Sequence, residues 1–182
     1  MRIISGIARG TNLFTLEGEN TRPTLDRVKE PLFSIIQNKI KNSVVLDLFS
    51  GSGALALESL SRGAKKAILC DKSKKAVNII NKNVIKTHFE DKVDVICKDY
   101  VDCIKDINFK VDIIFIDPPY ESNMAVKAVI EILKQNVLSE NGTIIIETDD
   151  EKREIEQLNK IEKIKIYDLR NYGRVKLIFL NT

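Results

Sequence analysis

One histidine, His88, and three cysteines are all the imidazole and thiol that 182 residues contain, and this scarcity removes several chemistries. His88 sits in the polar stretch Thr87-His88-Phe89-Glu90-Asp91 and reads as a loop residue, which leaves no histidine base or metal centre to build on. Cys70, Cys97 and Cys103 are odd in number, lack Cys-x-x-Cys spacing, and two fall in strand-like runs. They read as buried reduced thiols, not as a disulfide or zinc site. No segment approaches the roughly 20 apolar residues of a membrane span, and the N-terminus has no apolar signal core, so the expected location is the cytoplasm. A net charge of +3 is too small for a generic polycation and excludes a histone-like mode of binding. Internal repeats and low-complexity tracts are missing too. With 43% hydrophobic and 30% charged residues, the chain can bury one good core, most simply as one domain with a small extension.

What is present is more informative. The apolar run Val111 to Ile116 is followed by Asp117-Pro118-Pro119-Tyr120. Six apolar-rich residues without a helical period read as a buried strand, and proline, lacking an amide donor, cannot continue the ladder. The strand must end at Asp117. Each proline pushes the residue before it into an extended conformation, so the Asp117 carboxylate, the Pro118 carbonyl and the Tyr120 ring leave the sheet edge in a stiff arrangement. Such a group suits an exocyclic amine on a flat base: one N–H to the carboxylate, one to the carbonyl, and the ring against the base face. A bare strand terminator with a locally packed tyrosine would show the same four residues.

Upstream, Val44-Val45-Leu46-Asp47-Leu48-Phe49 is a second buried-strand run, followed by Ser50-Gly51-Ser52-Gly53 and the helical stretch Ala54 to Leu60. Strand, glycine turn and helix together let a ligand approach the backbone beside free amides. Gly51, Gly53 and Ala56 also fit the degenerate dinucleotide pattern G-x-G-x-x-A, with acidic Asp71 about 20 residues on. Asp47, at the carboxyl end of the first strand, would face a pyrophosphate unfavourably and a cationic ligand such as S-adenosylmethionine favourably. Asp71 closes the next strand, where a carboxylate can accept both ribose hydroxyls. Asp99, after the run Val93 to Cys97, can bond an adenine amine or cap a helix.

Coarsely, residues 2–15 suggest a short hairpin around Arg9-Gly10-Thr11-Asn12. Residues 24–40 suggest one helix with Val28, Leu32, Ile35 and Ile36 inward and Thr24 as N-cap. From Ser43 onward, strand-length apolar runs alternate with helical patterns at 73–86, 123–136 and 150–159, implying right-handed βαβ units and a parallel sheet. Residues 161–168 and 174–180, joined through Asn171-Tyr172-Gly173, leave no space for a helix and should pair antiparallel.

These motifs, in this order and spacing, resemble the class I S-adenosylmethionine-dependent methyltransferases. More closely, the chain is similar to the small-subunit (16S) ribosomal RNA guanine-N2 methyltransferases of the RsmD family. The resemblance starts at Met1-Arg2-Ile3-Ile4-Ser5-Gly6, passes through Thr21-Arg22-Pro23-Thr24-Leu25-Asp26-Arg27-Val28-Lys29-Glu30, Leu46 to Leu55 and Asp117 to Tyr120, and closes with Ile145-Ile146-Glu147 and Tyr172-Gly173. Thr-Arg-Pro-Thr is its most specific part, since the proline-tyrosine motif is shared with many amino-methyltransferases. One departure is Ser5, where the family has the first of two glycines.

The resemblance implies a Rossmann-like, doubly wound α/β sheet of seven strands with the last antiparallel, plus a small N-terminal hairpin and helix. It divides the chain into an extension, residues 1–41, that contacts RNA and covers the cofactor site, and a catalytic domain, residues 42–182. It implies S-adenosylmethionine held by Asp47, Phe49, Ser50, Gly51, Gly53, Asp71, Lys72, Asp99, Tyr100 and Asp117, and catalysis by Asp117, Pro118, Pro119 and Tyr120. The partner would be 16S ribosomal RNA within an assembling small subunit, bound by a monomer through Arg2, Arg9, Arg22, Arg27, Lys29 and Arg174. Charge agrees in part: basic residues exceed acidic ones by three within residues 1–41, as much as in the whole chain. The lysines around Lys72, Lys74, Lys75 and Lys82 read as a solvated face. Other readings are a DNA adenine-N6 methyltransferase with the same pocket, a nicotinamide-dependent oxidoreductase, and a non-enzymatic RNA-binding module.

Overall fold

A computed structural model describes residues 1–16, 24–119 and 123–182, with backbone alone for residues 24–26. Four strand-length runs become parallel strands: β1 (Val44–Asp47), β2 (Lys66–Cys70), β3 (Val93–Ile96) and β4 (Val111–Ile116). β5 (Leu138–Thr148) extends the sheet in parallel beside β4, and β6 (Lys165–Tyr172) and β7 (Val175–Asn181) complete seven strands in the order β3-β2-β1-β4-β5-β7-β6. β7 inserts between β5 and β6 and runs antiparallel to both. The last strand in sequence is thus the antiparallel one, as the resemblance implied.

Alternation along the strands builds two cores. Val45, Ala67, Leu69, Ile113, Phe115, Leu177 and Phe179 face one side, where they meet α1 (Thr24–Ile35), α2 (Gln37–Ile40), α3 (Ala54–Ser61) and α4 (Lys74–Thr87). Leu46, Ile68, Cys70, Ile114, Ile116, Ile144, Ile146, Ile178 and Leu180 face the other, under α5 (Tyr100–Asp106), α6 (Met124–Lys134) and α7 (Glu151–Leu158). With both faces covered, strands of unbroken apolar residues are the sequence a parallel sheet requires. Ile3, Leu13, Val28, Leu32 and Phe33 belong to the first core, so the N-terminal segment completes the domain's own hydrophobic layer.

Several boundaries differ from the sequence reading. The expected single helix over 24–40 is broken at Ile36, where the chain tightens to an i,i+3 bond from the Lys39 amide to the Ile36 carbonyl (2.8 Å), and both Ile36 and Ile40 are buried. The Thr24 cap lies outside the described side chains. β6 sits about four residues further along than expected: 161–164 form a turn closed by the Ile164 amide on the Ile161 carbonyl (3.1 Å), while edge strand 165–172 is held by its ladder to β7. The hairpin at residues 2–15 reduces to one antiparallel bridge, Arg2 to Asn12. His88 ends α4 in the left-handed conformation. All three cysteines are free; Cys70 and Cys103 are buried, but Cys97 is exposed, because it falls one residue past the end of β3. Among the described residues, no helix is long and apolar enough to cross a membrane.

Candidate active site

Asp47 is the last residue of β1, and its register partners are Leu69 on β2 and Phe115 on β4. Asp71 and Asp117 each lie two residues beyond those partners, so three carboxylates from neighbouring strands leave the sheet at the same edge. β1 is also where the winding reverses, since α3 and α4 cover one face and α5 and α6 the other. In open α/β sheets, ligands bind at this carboxyl-end crevice.

The loop after β1 is fixed by backbone bonds: the Ser50 amide donates to the Cys70 carbonyl (3.0 Å), and the Gly53 amide to the Ser50 carbonyl (2.6 Å). Gly53 has φ +80°, a conformation that strains any other residue, and a Cβ there would come 2.8 Å from Leu69 Cδ2 and have to displace it. A Cβ on Gly51 would meet no protein atom within 4 Å, which leaves that side of the loop open to a ligand. Asp71 anchors the loop from β2: its Oδ2 accepts from the Gly51 amide (3.0 Å), and its Oδ1 from the Ser73 amide (2.8 Å). Each oxygen keeps acceptor capacity for a further donor.

Asp47 is 2% exposed. Burial pushes its carboxyl up from an ordinary 3.8 to about 7, the Asp71 charge adds to the rise, and the amides of Ala56 and Phe49 oppose it. A buried acid pushed this far up beside a glycine loop is a site that gains from a cation and rejects an anion. Asp99 caps a helix, its Oδ1 accepting from the Val101 amide at 3.0 Å, and its other oxygen keeps acceptor capacity. Tyr100 behind it is buried and tilts against Phe49, ring centroids 5.1 Å apart, which makes an aromatic wall for this end of the sheet. Lys72 is exposed, Asp117 half-buried, Pro118 buried and Pro119 exposed. Tyr120 and Arg22 lie outside the described residues.

Arg2, Arg9, Arg27 and Arg174 are exposed, as phosphate contacts would need to be. Lys29 is not. It is 1% exposed, with its ammonium 3.2 Å from Glu58 Oε2 and donating to the Arg2 carbonyl at 2.6 Å, so the expectation of a phosphate contact is corrected to a buried ion pair. Glu58 itself, 0% exposed, also accepts from the amides of Ile4 (2.8 Å) and Ser5 (3.0 Å) and from Arg62 Nε (2.8 Å). One buried carboxylate thus fastens the N-terminal segment to α3. The Ser5-Gly6 turn packs on the end of the same helix, where a Cβ on Gly6 would overlap the Ser61 carbonyl at 1.8 Å. Ser5 itself needs no left-handed conformation, so serine in place of the family's glycine leaves the turn intact.

Sequence reading missed Glu58 and Asn83. Asn83, 0% exposed on α4, accepts from the Phe14 amide (2.7 Å) and donates to the carbonyls of Phe14 (2.9 Å) and Ser52 (2.8 Å). The available signal was a lone charge within the apolar stretch Ala54 to Leu60, and a lone amide on the inward stripe of α4.

A doubly wound sheet with its last strand antiparallel, a glycine turn after β1, and acids at the ends of β1, β2 and β4 defines a class I methyltransferase. The chain belongs to the RsmD family: the family model described as Conserved hypothetical protein 95 matches residues 1–181. The ribosomal RNA small subunit methyltransferase D of Haemophilus influenzae is 38% identical over 156 residues, which cover 84% of this chain and 80% of that protein. The protein of the same name from Escherichia coli K12 is 32% identical over 152 residues, covering 83% and 76% respectively. Among solved structures, protein HI0767 of Haemophilus influenzae superposes with a TM-score of 0.82 at 32% identity, covering 99% of this chain and 97% of that one.

Proposed function

We propose that the chain transfers a methyl group from S-adenosylmethionine to the exocyclic N2 of a guanine in small-subunit ribosomal RNA. The observation that carries this reading is the acidic crevice itself, with Asp47, Asp71 and Asp117 on three adjacent strands around a glycine loop. A methyl donor with an ammonium and a sulfonium, and no phosphate, fits there. Asp47 would receive the ammonium, Asp71 the ribose hydroxyls, the open side of Gly51 the backbone approach, and Phe49 and Tyr100 the apolar flank. When bound, the donor supplies an electrophilic methyl group.

The remaining chemistry falls to the chain. A guanine amine is a poor nucleophile because its lone pair is delocalised into the ring. Asp117 and the Pro118 carbonyl would hold its two N–H groups, favour a pyramidal nitrogen, and give the released proton a carboxylate to go to. Positioning supplies more here than acid-base strength. The target base has to leave its stack to enter such a pocket, and Tyr120 would replace a lost stacking neighbour. Arg2, Arg9, Arg22, Arg27 and Arg174 would hold the flanking phosphates.

The test has a cellular and a purified arm. Ribosomal RNA from cells lacking the protein should lose one N2-methylguanosine by mass-spectrometric mapping. Purified protein with a tritiated methyl donor should restore it on small-subunit particles. Label on adenine in DNA, or no label on either nucleic acid, would refute the reading.

A further inference from the structure

Helix α4 holds a second feature that the crevice does not use. Its sequence, KKAVNIINKNVIKT, contains four lysines and no carboxylate. Lys75, Lys82 and Lys86 recur at helical spacing with Asn78, and all four are exposed. Among the described residues, none of these lysines enters an ion pair, whereas basic residues elsewhere do so with Glu58, Asp94, Asp102, Asp106, Glu131, Glu154, Glu156 and Asp168. In a chain of net charge +3, an unopposed basic stripe is a local concentration of positive potential.

Beside it stands Phe14, 47% exposed, with Lys86 Nζ 4.4 Å from its ring centroid. Ile85, 60% exposed, adds apolar surface on the same turn. An exposed phenylalanine alone means little. This one has its backbone locked at both amide and carbonyl by the buried Asn83, whose amide nitrogen also holds the Ser52 carbonyl of the glycine loop. A single side chain therefore ties the Phe14 backbone to the rim of the cofactor loop. Exposed aromatic surface next to cations is how sequence-tolerant sites grip single-stranded nucleic acid, with stacking for the base and lysines for the phosphates.

We propose that Phe14, with Lys82 and Lys86 of α4, forms a contact for the RNA strand flanking the target nucleotide: a base stacks on the Phe14 ring, and the adjoining phosphates lie along the lysine stripe. The proposal rests on the RNA methyltransferase reading above and names a part of its substrate surface. It reassigns lysines whose sequence pattern alone suggests a merely solvated face.

The experiment measures methyl transfer to small subunits purified from cells lacking the protein. Phe14→Ala should raise KM for the particle roughly 5- to 100-fold, the usual range for losing one stacked base, and Phe14→Trp should restore it. Lys82→Ala and Lys86→Ala should each reduce the slope of log affinity against log salt by roughly 0.7 to 0.9. S-adenosylhomocysteine affinity should stay at wild type in all four variants. Unchanged KM and unchanged slopes, with the wild type active, would overturn this surface and leave the function standing. Equal damage from Phe14→Ala and Phe14→Trp, with lowered melting temperatures, would also overturn it, by making Phe14 a structural residue. A wild type that fails to methylate the particles would overturn the function and this surface with it.

Discussion

Replacing Asp47 with asparagine should make the ligand-free protein more stable and the ligand-binding protein worse. Asp47 is buried, and its carboxyl is pushed up from 3.8 to about 7, mainly by burial. A carboxyl whose folded value lies above its unfolded value binds its proton more tightly when folded. Folding is therefore favoured at low pH, and that advantage is lost as pH rises from about 4 to about 7. Each unit of difference corresponds to about 1.4 kcal/mol, so the ionised group destabilises the fold by roughly 4 kcal/mol above pH 7. In a domain of this size, about 2–4 °C of melting temperature accompanies each kcal/mol, which gives a difference on the order of 10 °C. Asparagine removes the charge while keeping an oxygen for one of the amides of Ala56 and Phe49. The assay is a pair of melting curves, wild type and Asp47→Asn, at steps from pH 4 to 8, read as the difference between the two so that other titrating groups cancel. The wild type should lose stability relative to the variant as pH rises. A ligand that presents an ammonium to Asp47 should reverse the order: S-adenosylhomocysteine should stabilise the wild type above pH 7 and the variant little, and binding below pH 7 should release a proton, seen calorimetrically as a dependence of enthalpy on buffer. Parallel melting curves across the range would refute the buried, titrating Asp47. Equal ligand stabilisation of both proteins would refute its role toward a cation.

Five other substitutions, at four positions, test the remaining parts of the site. Lys29→Met leaves Glu58 buried without its ammonium and should cost about 3–5 kcal/mol, less whatever Arg62 recovers, with an unchanged salt slope for RNA; a wild-type melting curve with a reduced slope would restore Lys29 to the phosphate contacts. Asp71→Ala removes both an acceptor for ribose hydroxyls and the anchor of the Gly51 amide, so S-adenosylhomocysteine affinity should fall at least roughly tenfold, and unchanged affinity would take Asp71 out of the site. Asp117→Ala should lower turnover by roughly a hundredfold or more with cofactor affinity nearly intact, while Tyr120→Phe should be mild and Tyr120→Ala severe; equal damage from the two tyrosine variants would give the hydroxyl a part that stacking does not explain.

The sheet, its winding and the acidic edge could be read from the sequence because each rests on local signals: apolar runs of strand length, glycines and prolines that end them, and an acid at each end. Where local signals were weak, the reading drifted. α5 passes unnoticed as a helix because its seven residues, YVDCIKD, are few and half polar, and only its Asp99 cap announces it. Edge strand β6 alternates exposed and half-buried residues and gains its order from β7, so its boundaries do not show in apolar content. The ties that Glu58 makes to Ile4 and Ser5, and Asn83 to Phe14, join residues 53 to 69 positions apart. Such pairings have no local signature. The lone polar residue on an apolar face can be seen, but its partner cannot, and Lys29 was accordingly read as a surface cation.

The same glycine turn serves dinucleotide and methyl-donor folds, so the turn alone does not choose between them; the charges around it do. An acid in the place of Asp71 suits either ligand, but a pyrophosphate beside Gly51 would meet Asp47, whose burial leaves it poorly able to bear even its own negative charge. A second negative group facing it in a low-dielectric crevice would be costly, and the Asp47 carboxyl would have to take up a proton to admit it. A ligand with an ammonium relieves Asp47, and one with free ribose hydroxyls gives Asp71 the donors its remaining lone pairs can accept. The lysines of α4 are placed to complement a different anion, outside the crevice, where Phe14 and Asn83 bring the N-terminal segment to the rim of the loop. Separating a cation-seeking interior from a phosphate-seeking exterior lets one small domain hold a positively charged donor and a polyanionic acceptor at adjacent sites without either competing for the other's place.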